Sequence, residues 1–203
     1  MKVISGCLLV LTLVFAKSGA NANARNQAAS ATEAMYTAAA DSAARKFQHI
    51  QQNASRENPD QTPTVFSERE INAYLASGRV KLPKGVRKVR LTGTPGVIIA
   101  DARVDFDEIT QSRRAANPLL ALFTGVHDVH AESHAKGSGG RGHVRIDSVA
   151  FDGITVPRVA LEYFVDRYIK PKHPNLGMDS TFQLPARVDL AIVGLHKLTV
   201  TQK

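Results

Sequence analysis

Asp128, His130, Glu132 and His134 stand at every second position of one segment. On a β-strand, side chains alternate between faces, so all four would share one side. Imidazole and carboxylate on a rigid strand suit zinc or another divalent cation. The spacing works against such a site. Positions i and i+4 of a strand lie about 13 Å apart, and a metal also needs tight geometry with supporting hydrogen bonds. His130 and His134 are therefore metal candidates only if other ligands join them. His143 lies across an expected hairpin, on a face that the sequence leaves open. The ordinary alternative is a solvated sheet face.

Gly137-Ser-Gly-Gly-Arg-Gly142 matches a dinucleotide-binding pattern literally. That pattern works when a helix follows, because its N-terminus receives the phosphate. Here a strand is expected, so the glycines read as a hairpin loop and no cofactor is expected. There is no G-x-S-x-G elbow, no H-E-x-x-H and no phosphate loop. Catalysis thus has no motif behind it. A metal-dependent hydrolase built on His130 and His134 is the enzymatic alternative.

Two features favour binding. Arg79, Lys81, Lys84, Arg87, Lys88 and Arg90 form a basic segment, with no acid between Ile71 and Ala100. Val80, Leu82, Val86, Val89 and Leu91 interleave it, so one side can pack while the other meets anions such as membrane headgroups. The second feature is a pair of small-residue rows, Ile98-Ala100-Ala102-Val104 and Val129-Ala131-Ser133-Ala135. Rows of Ala and Ser leave space above a sheet. Either a close helix or an apolar ligand can fill it.

The elements that would position these residues are legible in outline. Asn26 to Gln52 is Ala-rich, and Tyr36, Ala40, Ala43, Phe47 and Ile50 form one narrow helical stripe. So small a stripe suggests light docking. Asn53 to Pro63 reads as a polar linker, and Asn53-Ala54-Ser55 is a formal glycosylation sequon. Ser67-Glu68-Arg69-Glu70 is a capping box, with Phe66 placed to staple it and Gly78 to stop the helix. Strands are expected at Val86–Leu91 and Val97–Phe106, joined by a turn over Thr92–Gly96, and at Val126–Ala135 and His143–Phe151. Asn117 to Phe123 reads as a short apolar helix or turn. Pro157 opens a helix that ends at Lys170-Pro171. Its apolar face is Val159, Ala160, Leu161, Phe164, Val165, Tyr168 and Ile169, and Arg158, Glu162, Asp166 and Lys170 form its solvated stripe. Phe182–Leu184, Val188–Val193 and Lys197–Thr201 close the chain as strands. The class is α+β: a long curved, mainly antiparallel sheet packed on amphipathic helices, with an extra N-terminal Ala-rich helix.

Residues 1–24 have the parts of a secretory signal peptide. They open with Lys2, continue with an apolar run from Val3 to Ala16, and end in small residues with Ala-Asn-Ala sites before Ala24. The run is shorter than the ~20 residues that span a bilayer, which argues against an uncleaved anchor. Cys7 precedes the apolar run rather than following it, against a lipoprotein. Cleavage after Ala24 removes this single cysteine, and with it disulfides and thiolate metal sites. The chain's formal charge is +8, and losing Lys2 and Lys17 leaves it basic. An exported basic protein, periplasmic or secreted, meets anionic headgroups and acidic glycans, and no nucleic acid partner is expected.

Phe66-Ser-Glu-Arg-Glu-Ile-Asn-Ala-Tyr-Leu-Ala76 resembles a recurring opening of bacterial relatives of the tubular lipid-binding (TULIP) superfamily, including LmeA-like exported phospholipid-binding proteins. The order of elements from Val65 to Gln202 is similar as well. The resemblance implies a curved antiparallel sheet around a helix, enclosing an apolar groove. No functional residue of the family carries over by motif.

The resulting expectation is a signal peptide at 1–24, an Ala-rich helix and linker at 25–63 and an α+β lipid-binding domain at 64–203. A lipid or other amphiphile would lie against Ile98, Ala100, Ala102, Val104, Ala131, Leu161, Phe164 and Val165. The basic segment would approach anionic headgroups. The non-enzymatic alternative is an envelope scaffold or adaptor whose core is simply packed.

Overall fold

A computed structural model describes residues 5–110, 123–171 and 173–203, with side chains from residue 30 onward except at Thr110. The expected apolar turn at Asn117 to Phe123 lies outside these residues, apart from Phe123. The chain divides into two compact units between Ala38 and Ala39. Helix α1 (Ser5–Ala54) runs through that boundary. In the first unit, Met35 and Tyr36 are exposed.

The second unit holds the rest. Its elements are β1 (Thr64–Ser67), α2 (Glu68–Ala76), β2 (Val86–Thr94), β3 (Val97–Asp105), α3 (Phe106–Thr110), β4 (Val126–Ser138) and β5 (Arg141–Phe151). Then come β6 (Ile154–Thr155), α4 (Arg158–Phe164), β7 (Asp179–Gln183), β8 (Val188–Gly194) and β9 (Lys197–Gln202). The nine strands among the described residues form one open sheet in the order β1-β9-β8-β4-β3-β2, with β5 joining through β4 and carrying β6 and β7. Every pairing is antiparallel. The expected α+β class holds.

Register follows from tight turns. Pro95-Gly96 alone joins β2 to β3, a shorter turn than the expected Thr92–Gly96. Gly139 and Gly140 both adopt positive φ, the geometry of a two-residue hairpin turn. Their turn sets Lys136 opposite His143 and His134 opposite Arg145. A bulge between Glu132 and Ser133 then shifts the register, so that Ala131 faces Val149.

Two hydrophobic cores line the inner face. In the first, Phe106, Phe123, Phe151 and Phe164 interlock, with Phe123 stacked on Phe164 at 4.2 Å and edge-on to Phe151 at 5.4 Å. Aromatic rings prefer such offset and edge-to-face contacts. Ala160 is fully buried there, so α4 approaches the sheet closely. Val159, expected on the apolar face, is 61% exposed instead. The helix starts one residue later than expected, with Pro157 as its cap, and its last turn widens to a π-helix over Val165–Ile169. The solvated stripe forms as expected, pairing Arg158 with Glu162 and Lys170 with Asp166.

In the second core, Ala43, Ile50, Phe66, Val188 and Val200 are buried together, and Phe47 packs between Phe66 and Tyr74. The expectation of light docking for the Ala-rich helix is corrected here. Ala39, Ala40 and Ala43 are buried because their small side chains let backbones meet. Asn53, read as the start of a linker, is 1% exposed. Its side-chain amide donates to the Asp60 carbonyl and to Gln202 Oε1, and its own oxygen accepts the Asp60 N–H. A glycan cannot be attached to that nitrogen in the folded protein.

The capping box forms as expected. Ser67 Oγ accepts from Glu70 N–H, and Glu70 accepts from Ser67 N–H. From α1, Ser42 donates to Glu70 at 2.6 Å and Lys46 binds both of its oxygens. Burial alone would raise the Glu70 pKa. The bonds from Lys46, Ser42 and Ser67 outweigh it and lower the value from 4.5 to about 2.

Candidate functional site

Between the two cores lies a stretch of the inner face that no described core residue covers. Leu91 pairs with Ala100, and Ala100 with Ala131. One rung further, Gly93, Ile98, Ser133 and Ile146 follow each other across the strands, then Ala135 faces Val144. Side chains at these aligned positions share a face. Val89, Leu91, Ile98, Ala100, Ala135 and Val144 are half-buried and belong to neither core. The result is an apolar strip. One end meets the aromatic core, and the β8–β9 turn crosses the other, with Gly96 N–H bonded to the Val193 carbonyl and His196 N–H to the Gly93 carbonyl.

The eight expected ligand contacts divide along this line. Ile98 and Ala100 lie on the strip. Val104, Leu161 and Phe164 are buried inside the aromatic core, and Ala102, Ala131 and Val165 pack against it. In this conformation α4 and the phenylalanines fill the space above Ala102 and Ala131.

β2 borders the strip and is an edge strand. Asn72 on α2 covers part of that edge as another strand would. Its amide donates to the Leu91 carbonyl and its oxygen accepts the Leu91 N–H. An exposed edge invites pairing with other chains, so this bond has a clear role. Glu68 does the same one step on. It accepts from Gly93 N–H and from His196 Nδ1. The Ser-Glu-Arg-Glu-Ile-Asn segment therefore caps a helix and seals a sheet edge together.

The basic segment separates into paired and unpaired cations. Arg79 binds Asp41 and the Ala40 carbonyl. Arg87 binds Asp105 at 2.7 Å and Glu108 at 3.2 Å. Among the described residues, Lys81, Lys84, Lys88 and Arg90 make no ion pair, and all four are exposed. Lys88 and Arg90 alternate with Val89 and Leu91, so they project to the outer face. There they line a concavity of about 410 Å³ with Arg103, Asp101, Asp128 and His130.

The three candidate histidines of β4 and β5, His130, His134 and His143, are each held by a carboxylate. His130 Nδ1 meets Asp101 at 2.7 Å, His134 Nδ1 meets Asp147 at 2.5 Å, and His143 Nε2 meets Asp179 at 2.8 Å. Among the described residues, no three His, Cys, Asp or Glu side chains converge to hold a metal. The metal candidates His130 and His134 thus have no completed coordination set. His127 lies on the inner face beside the aromatic core, stacked on Phe151. Its bond to Asp152 at 2.6 Å raises its pKa and lowers that of Asp152.

Several of these residues were within reach of sequence reasoning. Asn53 continues the stripe from Phe47 and Ile50 at three-residue spacing. A two-residue turn at Gly139-Gly140 would have placed His134 opposite Arg145. The partners of Glu70 on α1, by contrast, carry no local signal.

Comparisons with protein-family models, curated proteins and solved structures find no match. Fold and site define an α+β protein with an open antiparallel sheet and a half-covered apolar inner face. No described helix is long and apolar enough to cross a membrane.

Proposed function

We propose that this chain is an exported protein that binds a lipid or other amphiphile, without a catalytic step. The observation that carries the reading is the apolar strip around Leu91, Ile98, Ala100 and Val144, half-buried and outside both cores. Water gains from its removal, since burying apolar area is worth about 25 cal/mol per Å². An acyl chain is long, narrow and apolar enough to lie along it. The aromatic core beneath α4 would bound one end of the ligand, and the widened helix turn at Val165–Ile169 is a place where α4 could yield. Lys88 and Arg90, on the outer face of the strand that carries Val89 and Leu91, would attract an anionic membrane surface. The signal-like N-terminus and the resemblance of Phe66–Ala76 to TULIP-type proteins support the same reading.

The test is native mass spectrometry of protein purified from an exporting host, followed by organic extraction and lipid analysis. A stoichiometric acyl-bearing species, lost in a folded Ala100→Phe variant, is the expected result. A clean apo mass that persists after incubation with phospholipid vesicles would refute it. That outcome would favour the scaffold or adaptor reading, for which the packed state of Ala102 and Ala131 under α4 already speaks. Loss of a pulled-down partner on removing residues 26–38 would then be the supporting result.

A further inference from the structure

The outer face of the β4–β5 hairpin carries a second feature, independent of the apolar strip. His134 pairs across the strands with Arg145, and Lys136 with His143. Residues two apart on a strand share a face, so these four side chains form a two-by-two array. They line a concavity of about 300 Å³ together with Gly96 and Ala135. The array is cationic where a metal site would need to be anionic. Lys136 and Arg145 repel a divalent cation and attract an anion.

The donors in this array are oriented. Asp147, brought beside His134 by the register shift at Glu132/Ser133, takes His134 Nδ1 at 2.5 Å and Arg145 Nε at 3.1 Å. Asp179 on β7 takes His143 Nε2 at 2.8 Å. Both carboxylates are thereby committed to the backs of the groups they hold. Among the described residues, Arg145 Nη1 and Nη2, Lys136 Nζ, His134 Nε2 and His143 Nδ1 have no hydrogen-bond partner. Arginine held at Nε presents its two terminal nitrogens as a fork, and lysine adds a point charge. Each imidazole flanks these groups, with one ring nitrogen fixed by its carboxylate. Gly96 adds no side chain beside them.

We infer that His134, Lys136, His143 and Arg145 form a binding site for a phosphate group. Arg145 and Lys136 supply the charge, and the two carboxylate-held imidazoles supply shape. The phosphate has two sources, a lipid headgroup or a small soluble phosphate ester, and the chemistry of recognition is shared. If the source is a lipid, the site lies on the opposite sheet face from the apolar strip and so serves a membrane surface rather than the bound ligand.

Isothermal titration of the purified chain with inorganic phosphate tests the site, with sulfate-free buffer and a Lys136→Gln/Arg145→Gln variant. Saturable binding in the wild type is expected, weakened at least about tenfold in the variant, because it loses both charged donors. Arg45→Gln/Arg69→Gln, at exposed positions outside both the array and the basic segment, serves as a control of equal charge change and should bind as the wild type does. Vesicle sedimentation separates the sources. If phosphatidylglycerol vesicles bind the wild type but not the Lys136/Arg145 variant, and phosphatidylcholine vesicles bind neither, the phosphate belongs to a lipid. If vesicle binding ignores the variant while inorganic phosphate still requires the array, the ligand is a soluble ester. Absence of saturable phosphate binding in the wild type, or equal loss in variant and control, overturns the inference. Neither result bears on the apolar strip, whose test reads an extracted acyl species instead.

Discussion

Replacing Glu70 with Gln should destabilise the protein in a manner set by pH. The side chain is mostly buried, at 12% exposure, and its two oxygens receive Ser42, Lys46 and Ser67. A pKa lowered from 4.5 to about 2 corresponds to about 3 kcal/mol, at roughly 1.4 kcal/mol per unit. The sign follows from the direction. A carboxylate whose pKa falls on folding contributes its full stability above its unfolded value of 4.5, and loses it as pH drops toward about 2. Glutamine keeps the shape but not the charge, and turns an amide donor toward Lys46. Urea unfolding followed by circular dichroism suits a chain without tryptophan. At neutral pH the Glu70→Gln midpoint should fall by an amount equivalent to about 3 kcal/mol. The gap between wild type and variant should close as pH is lowered through the range from 4.5 to about 2. A gap of the same size at every pH would refute the reasoning, because Glu70 would then act through packing alone. A gap that widened in acid would show the sign to be wrong.

Three other outcomes are expected. Asp152→Asn should lower the melting temperature most between the ordinary values of Asp152, 3.8, and His127, 6.5, and less as pH rises beyond the raised value of His127; thermal melts across that range check it. Folded protein made in a glycosylating host should carry no glycan at Asn53, read as an unshifted intact mass, and Asn53→Ala should cost about 1–3 kcal/mol because Gln202 and Asp60 lose their buried partner. Ala102→Phe should destabilise by about 1–3 kcal/mol through overpacking of the aromatic core, while Ala100→Phe on the strip should cost less than half of that, both measured by denaturant midpoint.

Local signals carried much of this fold. Alternation in Val97–Phe106 assigns both faces of β3 correctly, because a strand covered on one side only must alternate. The capping box and Gly78 bound α2, since their hydrogen bonds span three or four residues. Long-range packing was harder to read. Ala39, Ala40 and Ala43 have little side chain, so their stripe signals weakly, although close approach makes their burial complete. The closure of α4 over Ala102 and Ala131 depends on four phenylalanines from distant segments meeting at one end of the sheet. The pairing of His130, His134 and His143 with aspartates depends on register, and at His134 on a bulge that no local pattern announces. Lys136 and Arg145 read as ordinary surface charges until the hairpin places them beside His143 and His134.

The bond between Asn53 and Gln202 spans 149 residues, and Gln202 also donates to the carbonyls of Ile50 and Ala186. Helix α1 is thus fastened to Gln202 on the distant strand β9. Contacts so distant in sequence form late and slow folding, because the loop between them must close first. Newly made chain therefore cannot complete this node until β9 has been synthesised, and α1 emerges long before the strand that locks it.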